Sequence, residues 1–485
     1  MPSVTLSALK RPRILVREVL AGLVVALALI PEAISFSIIA GVDPRVGLFS
    51  SFIMAVSISI LGGRRAMISA ATGAVALVIA PVMRDYGIEY FVATVILAGV
   101  FQVLLAVAGV AKLLRFIPRS VMVGFVNALA IMIFITQLPH LFAVPVAVYG
   151  LVAGALVILI VLPRLTKAVP APLVAIVVLT VITVAAAITV PTVGDQGELP
   201  TSLPELFFPT VPLNLETLGI IAPYALGMAL VGLLESLMTA KLVDDITDSG
   251  SSKTRESWAQ GVSNIITGCF GGMGGCAMIG QTMINVKSSG ARTRISTFLA
   301  GVFLLILVVV FGDVVALIPM AALVAVMVMV CVATFDWHSI RPSTLRRMPK
   351  SETLVMVATV AVVVATHNLA IGVIVGVLVA MVLFARRVAH FVTVTREIRM
   401  DVAHYTVTGE LFFASSNDLT TQFDYANDPA AVVIDMSASH VWDASTVAAL
   451  DAITTKYERH GKRATITGLN EASAATHGRL TGKLG

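Results

Sequence analysis

Apolar positions dominate the chain from residue 18 to residue 385, in runs of about twenty residues broken by short stretches of Pro, Gly and charge. Such a run is what one helix needs to cross the hydrocarbon core of a bilayer. Spans are predicted at residues 18–40, 45–62, 67–83, 91–114, 118–138, 146–162, 171–190, 217–242, 257–272, 277–287, 294–312, 315–333, 352–366 and 369–385. The first run, Val16 to Val42, follows Lys10, Arg11, Arg13 and Arg17. It is too long for a signal peptide, lacks a small-residue cleavage site and precedes many more spans, so it reads as a retained first helix. After Arg387 the pattern changes: short apolar runs (Ala431 to Ile434, Ala464 to Thr467) alternate with amphipathic stretches such as Thr446 to Tyr457. That alternation predicts a small α/β domain. The expected fold class is thus an all-α polytopic membrane protein of about fourteen segments, residues 1–387, followed by an α/β domain, residues 388–485.

Composition sharpens this picture. The 485 residues are 58% hydrophobic and only 13% charged, where soluble proteins carry roughly a quarter charged residues. The formal net charge of +5 admits a nucleic-acid partner until the basic residues are placed. With a cytoplasmic N-terminus, 23 of the 25 basic residues before residue 388 lie at cytoplasmic ends and only Arg45 and Arg84 lie outside. The positive-inside rule accounts for that asymmetry, so nucleic acid is not expected. Both termini are expected in the cytoplasm, with the chain a multi-pass protein of a bacterial inner membrane. The longest external loop, 191–216, carries Asp195, Glu198, Glu205 and Glu216 and no basic residue. Cys269, Cys276 and Cys331 lie in apolar segments without CxxC or clustered His, which speaks against a disulfide framework or zinc site. No nucleophile–base pair, phosphate loop or metal-ligand spacing is present, so neither an enzyme nor a cofactor is expected.

An internal repeat points to the centre of the membrane. Acidic residues sit deep in the first span (Pro31-Glu32) and the eighth (Leu234-Glu235-Ser236), 203 residues apart. Ile117-Pro118 and Ile318-Pro319 open the fifth and twelfth spans, 201 residues apart. Small-residue segments mark the third span (Ser69 to Ala74) and the tenth (Gly274 to Gly280) at a similar offset. A displacement of seven spans reverses the direction of crossing, as in transporters built from two inverted halves. A short helix that begins inside the membrane aims unpaired N–H groups and its positive dipole end into a cavity. Two such ends hold an anion without a basic side chain; small residues also permit close helix packing.

The substrate-binding candidates are therefore Thr72, Gly73 and Ala74 on the third span and Ile279, Gly280, Gln281 and Thr282 on the tenth. Glu32 and Glu235 are the proton-coupling candidates, since ionisable groups at mid-span usually mark ion or proton pathways. Gln102 reads as a polar contact or packing glue, and His367 and Asn368 as a solvated helix end.

At these residues the chain resembles the SulP anion transporters, also called sulfate permeases or solute carrier family 26. The matching passages are Leu29-Ile-Pro31-Glu32, Gly41 to Ser51, Ser69 to Gly73, Ile117 to Phe125 through Leu138, Gln260 to Asn264 through Gly272, and Asn285 to Thr293. The resemblance implies two inverted seven-helix repeats, split into a core (spans 1–4 and 8–11) and a gate (spans 5–7 and 12–14), with substrate between the third and tenth helix ends. The C-terminal segment resembles a STAS domain at Val432 to Ser437, Trp442 to Val447 and Gly468-Leu469. Many related antagonists carry a phosphorylatable serine where this chain has Ala444, with Ser445 adjacent, and a STAS domain usually continues past residue 485. Vertebrate relatives carry an arginine near the start of the tenth span, where this chain has Ile279-Gly280-Gln281-Thr282. That departure and the two buried acids make it similar to proton-coupled bacterial members.

The expected function is proton-coupled symport of a small anion, a short dicarboxylate first and sulfate or bicarbonate next. Sodium-coupled bicarbonate uptake, anion exchange, nucleobase symport and a membrane-anchored STAS sensor are the alternatives. Expected partners are the anion, protons rather than sodium, the lipid bilayer and a second copy of the chain in a homodimer.

Overall fold

The computed structural model describes residues 11–109, 112, 117–166, 171–212, 214–389 and 392–483; Lys10, Arg115 and Lys167, counted among the cytoplasmic basic residues, lie outside them. The chain forms two compact units, Met1–Val377 and Leu378–Gly485.

Each predicted span corresponds to a helix or helix pair, and the last of them runs from the first unit into the second. These are α1 (Pro12–Ala40), α2 (Pro44–Leu61), α3 (Gly73–Tyr86), α4 (Ile88–Val107), α5 (Arg119–Gln137), α6 (Val146–Leu165) and α7 (Ala171–Ala185). The second seven are α8 (Leu215–Thr247), α9 (Lys253–Cys269), α10 (Ile279–Met283, continued by a π turn over Ile284–Ser288), α11 (Arg294–Val310), α12 (Met320–Thr334), α13 (Lys350–Thr366) and α14 (Leu369–Ala389). Seven helices among the described residues, from α1 to α14, are long and apolar enough to cross a membrane unaided. The rest are shorter, and α3 and α10 are short for a specific reason. Each follows a two-residue strand, β1 (Ser69–Ala70) and β2 (Cys276–Ala277), so the chain runs extended before it turns helical. The two strands pair antiparallel, Ser69 with Ala277 and Ala70 with Cys276. This pairing satisfies backbone groups of four fully buried residues.

Helices α1–α4 pack chiefly on α8–α11, and α5 and α6 on α12 and α13. Small residues allow these approaches. A Cβ on Gly99 of α4 would lie 2.6 Å from the carbonyl oxygen of Gly261 on α9, and one on Gly261 would lie 2.6 Å from that of Gly99. Two buried acids that the spans did not signal fasten the ends of the first group. Glu256 accepts hydrogen bonds from the N–H of Gly63 (2.7 Å) and of Arg64 (2.9 Å) after α2. Glu18 accepts from the N–H groups of Arg292 and Thr293 at the start of α11. Arg64 and Lys253 both pair with Asp244, at 3.1 and 2.6 Å, so basic residues near the helix ends also hold those ends together.

The second unit carries a four-stranded sheet in the order β3 (Thr393–Arg399), β4 (Val402–Leu411), β5 (Ala431–Val441), β6 (Arg463–Thr467). The β3–β4 pair is antiparallel; β4–β5 and β5–β6 are parallel, with a bulge between Thr406 and Thr408. Helices α15 (Phe413–Leu419), α16 (Ala444–Arg459) and α17 (Glu471–Leu480) complete the unit. Its core holds Tyr405, Val432, Ile434, Leu450 and Tyr457. Asp428 accepts from the hydroxyls of Tyr405 (2.8 Å) and Tyr457 and pairs with Arg396. Asp443 caps α16 by accepting from the Thr446 N–H at 3.0 Å, which leaves Ala444 and Ser445 exposed in its first turn.

Candidate functional site

The β1–β2 crossing brings the starts of α3 and α10 to the same level, one from each repeat. Only glycine fits at its tightest point: a Cβ on Gly275 would lie 2.0 Å from the carbonyl oxygen of Ala70. Gly274, at φ +67°, makes the turn before it, and Asn264 of α9 fixes the segment by accepting from the Gly275 N–H (2.8 Å) and donating to its carbonyl (3.1 Å).

Thr72 is the N-cap of α3, accepting from the Val75 N–H at 3.4 Å. Gly73 is buried, and a Cβ there would press on Ile133 of α5 and Phe36 of α1 at 2.9 Å. Ala74 is also buried, at 1% exposure. The α10 end differs. Ile279 is partly exposed, Gly280 is exposed, and a Cβ on Gly280 would meet nothing within 4 Å. No side chain caps α10, and the space on the side-chain face of that glycine is open.

The polar candidates divide into two kinds. Thr282 is tied to β1: its hydroxyl oxygen accepts from the Ile68 N–H at 3.0 Å. Gln281 donates only weakly to the Ala28 carbonyl, at 3.5 Å, and leaves its own amide oxygen buried without a partner. It lies beside the Glu32 carboxyl of α1, which is partly accessible. A cavity of about 240 Å³ opens against the same face of α1, lined by Ser35, Ile39, Gln137, His140, Met320 and Leu323 among others; Ser35 and Ile39 stand three and seven residues beyond Glu32. Glu235 of α8 is buried and accepts a hydrogen bond from the Cys276 thiol at 3.1 Å. Cys276 in turn lies 3.1 Å from the Thr72 hydroxyl. None of these hydrogen bonds involves a basic side chain.

Three neighbours received no role from the sequence: Cys276, Ser236, whose hydroxyl accepts from the Ala277 N–H at 3.0 Å, and Asn264. The 204-residue spacing of Thr72 and Cys276, close to the repeat offset, is the signal that marks Cys276. Gln102 bonds Asn264 (2.9 Å) and serves packing. His367 is an exposed αL helix end, and Asn368 caps α14 through its side-chain oxygen.

The profile described as the sulfate permease family matches residues 15–152 and 144–359, and the STAS domain profile matches 393–482. YbaR of Bacillus subtilis (strain 168), a protein named for sulfate transport, is 53% identical over 457 residues, covering 94% of this chain and 95% of its own. The bicarbonate transporter BicA of Picosynechococcus is 26% identical over 408 residues, with 77% of this chain and 70% of BicA covered. Murine Slc26a9, an anion transporter solved in an inward-facing state, superposes with a TM-score of 0.83 over 96% of this chain and 87% of its own, at 17% identity. Two inverted seven-helix halves, paired mid-membrane strands and a following α/β domain, with profiles that span most of the sequence, place the chain in the sulfate permease family of membrane anion transporters, with a C-terminal STAS domain.

Proposed function

We propose that the protein is a proton-coupled symporter of a small oxyanion, held between the starts of α3 and α10. The observation that carries this reading is the pair of carboxyls, Glu32 and Glu235, set beside those helix starts with no basic side chain among their partners. An ionised carboxylate about 4 Å from an anion repels it by roughly 4 kcal/mol at an effective dielectric of about 20. Anion binding and proton loading therefore favour each other, and by linkage each strengthens the other. Importing a dianion against an inside-negative potential costs about 4.6 kcal/mol per 100 mV, from about 2.3 per charge. Two protons make the step electroneutral, and two carboxyls are available to carry them.

Sulfate is the first substrate to test, because YbaR is named for it; a short dicarboxylate fits the same chemistry. Bicarbonate uptake, with sodium as the alternative coupling ion, is the second reading, favoured by the likeness to BicA. The packing supports α1–α4 with α8–α11 as a core and the other six helices as a gate. The distribution of basic residues supports cytoplasmic termini in an inner membrane.

The test is uptake of labelled sulfate, succinate and bicarbonate by proteoliposomes under a pH or a sodium gradient. Concentrative uptake driven by the proton gradient and lost in Glu235→Gln, with the variant still folded, is the expected result. Wild-type uptake in that variant removes Glu235 from the coupling, and uptake driven by sodium alone overturns the proton reading.

A further inference from the structure

Cys276 joins the two chemical parts of the site. It is fully buried, and its backbone is fixed by the β1–β2 pairing and by Gly275 against Ala70. Its sulfur stands 3.1 Å from Glu235 Oε2 and 3.1 Å from Thr72 Oγ1, and in the second contact either group can donate. Thr72 Oγ1 also accepts from the Val75 N–H as the cap of α3. One continuous hydrogen-bonded chain thus runs from α8, through β2, to the start of α3.

We infer that Cys276 is a positioning residue, whose thiol transmits the protonation state of Glu235 to the Thr72 hydroxyl and so sets whether the start of α3 offers the anion a donor. The inference rests on the proton-coupled reading above. A thiol and a hydroxyl carry one hydrogen each. With Glu235 ionised, the S–H donates to the carboxylate and the Thr72 O–H donates to sulfur, leaving no hydrogen for an anion. When a proton from solution binds Glu235, the new carboxyl O–H donates to sulfur and the S–H turns to Thr72 Oγ1. The Thr72 O–H is then released as a donor at the helix start. Only the Glu235 O–H bond forms; the other hydrogens move by rotation about C–S and C–O bonds. Protonation therefore both removes a repelling charge and supplies a donor.

Among the described residues, the side chain hydrogen-bonded to the Glu235 carboxyl is Cys276. The helices packed on α8 carry their other ionisable residues toward their ends: Arg84, Asp85 and Tyr86 on α3, Glu89 and Tyr90 on α4, Lys253, Arg255, Glu256 and Cys269 on α9, and Lys287 in the π turn that continues α10. None of these has a hydrogen bond or ion pair to Glu235 among the described residues. Glu32, the other mid-membrane acid, lies beside Gln281 instead.

The experiment measures the Kd of sulfate, with succinate and bicarbonate in parallel, on the full-length protein at about pH 5.5 and about pH 8. Wild type is expected to bind about tenfold more tightly at the acid pH, an ordinary size for coupling between two sites. Cys276→Ala should shrink that ratio below about twofold, and Cys276→Ser, which keeps one hydrogen and two lone pairs, should restore it. Thr72→Val breaks the chain at its other end and should also flatten the profile, which keeps the test open where Cys276→Ala fails to fold. A wild-type ratio in Cys276→Ala or Thr72→Val, alongside a flat profile in Glu235→Gln, overturns the relay and leaves proton coupling standing. A wild-type ratio in Glu235→Gln, or no binding of any of the three anions to wild type, overturns both.

Discussion

Gly280 and Ala74 occupy matching places in the two repeats, yet the same substitution should act differently at each. A leucine at position 280 projects into open space at an uncapped helix start. It should raise the anion Kd at least about tenfold, a loss near 1.4 kcal/mol, with melting temperature unchanged. A leucine at 74 meets a packed wall, since Ala74 is 1% exposed, and should cost about 1–3 kcal/mol of stability. Equal melting temperatures in the two variants would contradict that division. The carboxyls of this site were legible in the sequence because an ionisable residue in an apolar run is costly and therefore conspicuous. Cys276 was not, because a cysteine in an apolar run looks like any small core residue. Its proposed role depends on a neighbour, Thr72, brought in from the other half of the chain.

Element by element, spans set by long apolar runs were readable, with starts at 146, 171, 294 and 369 that match the helices, but the starts of α3 and α10 were not. The third span was expected at 67–83 and the tenth at 277–287; the helices start at Gly73 and Ile279, after two-residue strands. Two residues carry no periodicity, so β1 and β2 leave no hydropathy signal. What the sequence does carry is the glycines that the crossing requires. Gly275→Ala would place a methyl 2.0 Å from the Ala70 carbonyl oxygen. Backbone must move to relieve it, so a loss of at least about 3 kcal/mol is expected, read as a lower melting temperature in detergent together with lost anion binding. Gly261→Leu, at the α4–α9 crossing, should lower the melting temperature comparably without any change specific to pH. If Gly275→Ala melts like wild type, the pairing is not what holds the helix starts.

At the scale of the whole chain, the composition shift near Arg387 was the legible feature, and the second unit has a core of its own. All of the candidate site lies within Met1–Val377. A protein ending near Ala389 is therefore expected to bind and transport its anion, and complete loss of binding in a folded truncation would refute this. The STAS unit should show its own pH limit. Burial raises the phenols of Tyr405, Tyr425 and Tyr457, with Tyr425 pushed up to about 12. Their folded-state values exceed the value of about 10 in unfolded chains. The stability they contribute is then complete below about pH 10 and is lost as pH rises through about 12. Alkaline melting of this unit should begin in that window, and Tyr425→Phe should make it shallower.

The pairing of Ser69 with Ala277 also bears on how the protein is made. The two strands lie in opposite halves of the sequence, and the ribosome delivers the first well before the second. Until residue 277 is inserted, the extended segment ahead of α3 has no strand to satisfy its backbone, and inside a bilayer that satisfaction is obligatory. The contact is of very long range, and contacts of this kind form late, because the intervening chain must first be ordered. The proposed anion site is accordingly expected to be among the last features assembled during biosynthesis. A nascent chain arrested before α10 would hold α1–α4 without a site, in a form that depends on water or a chaperone to shield β1.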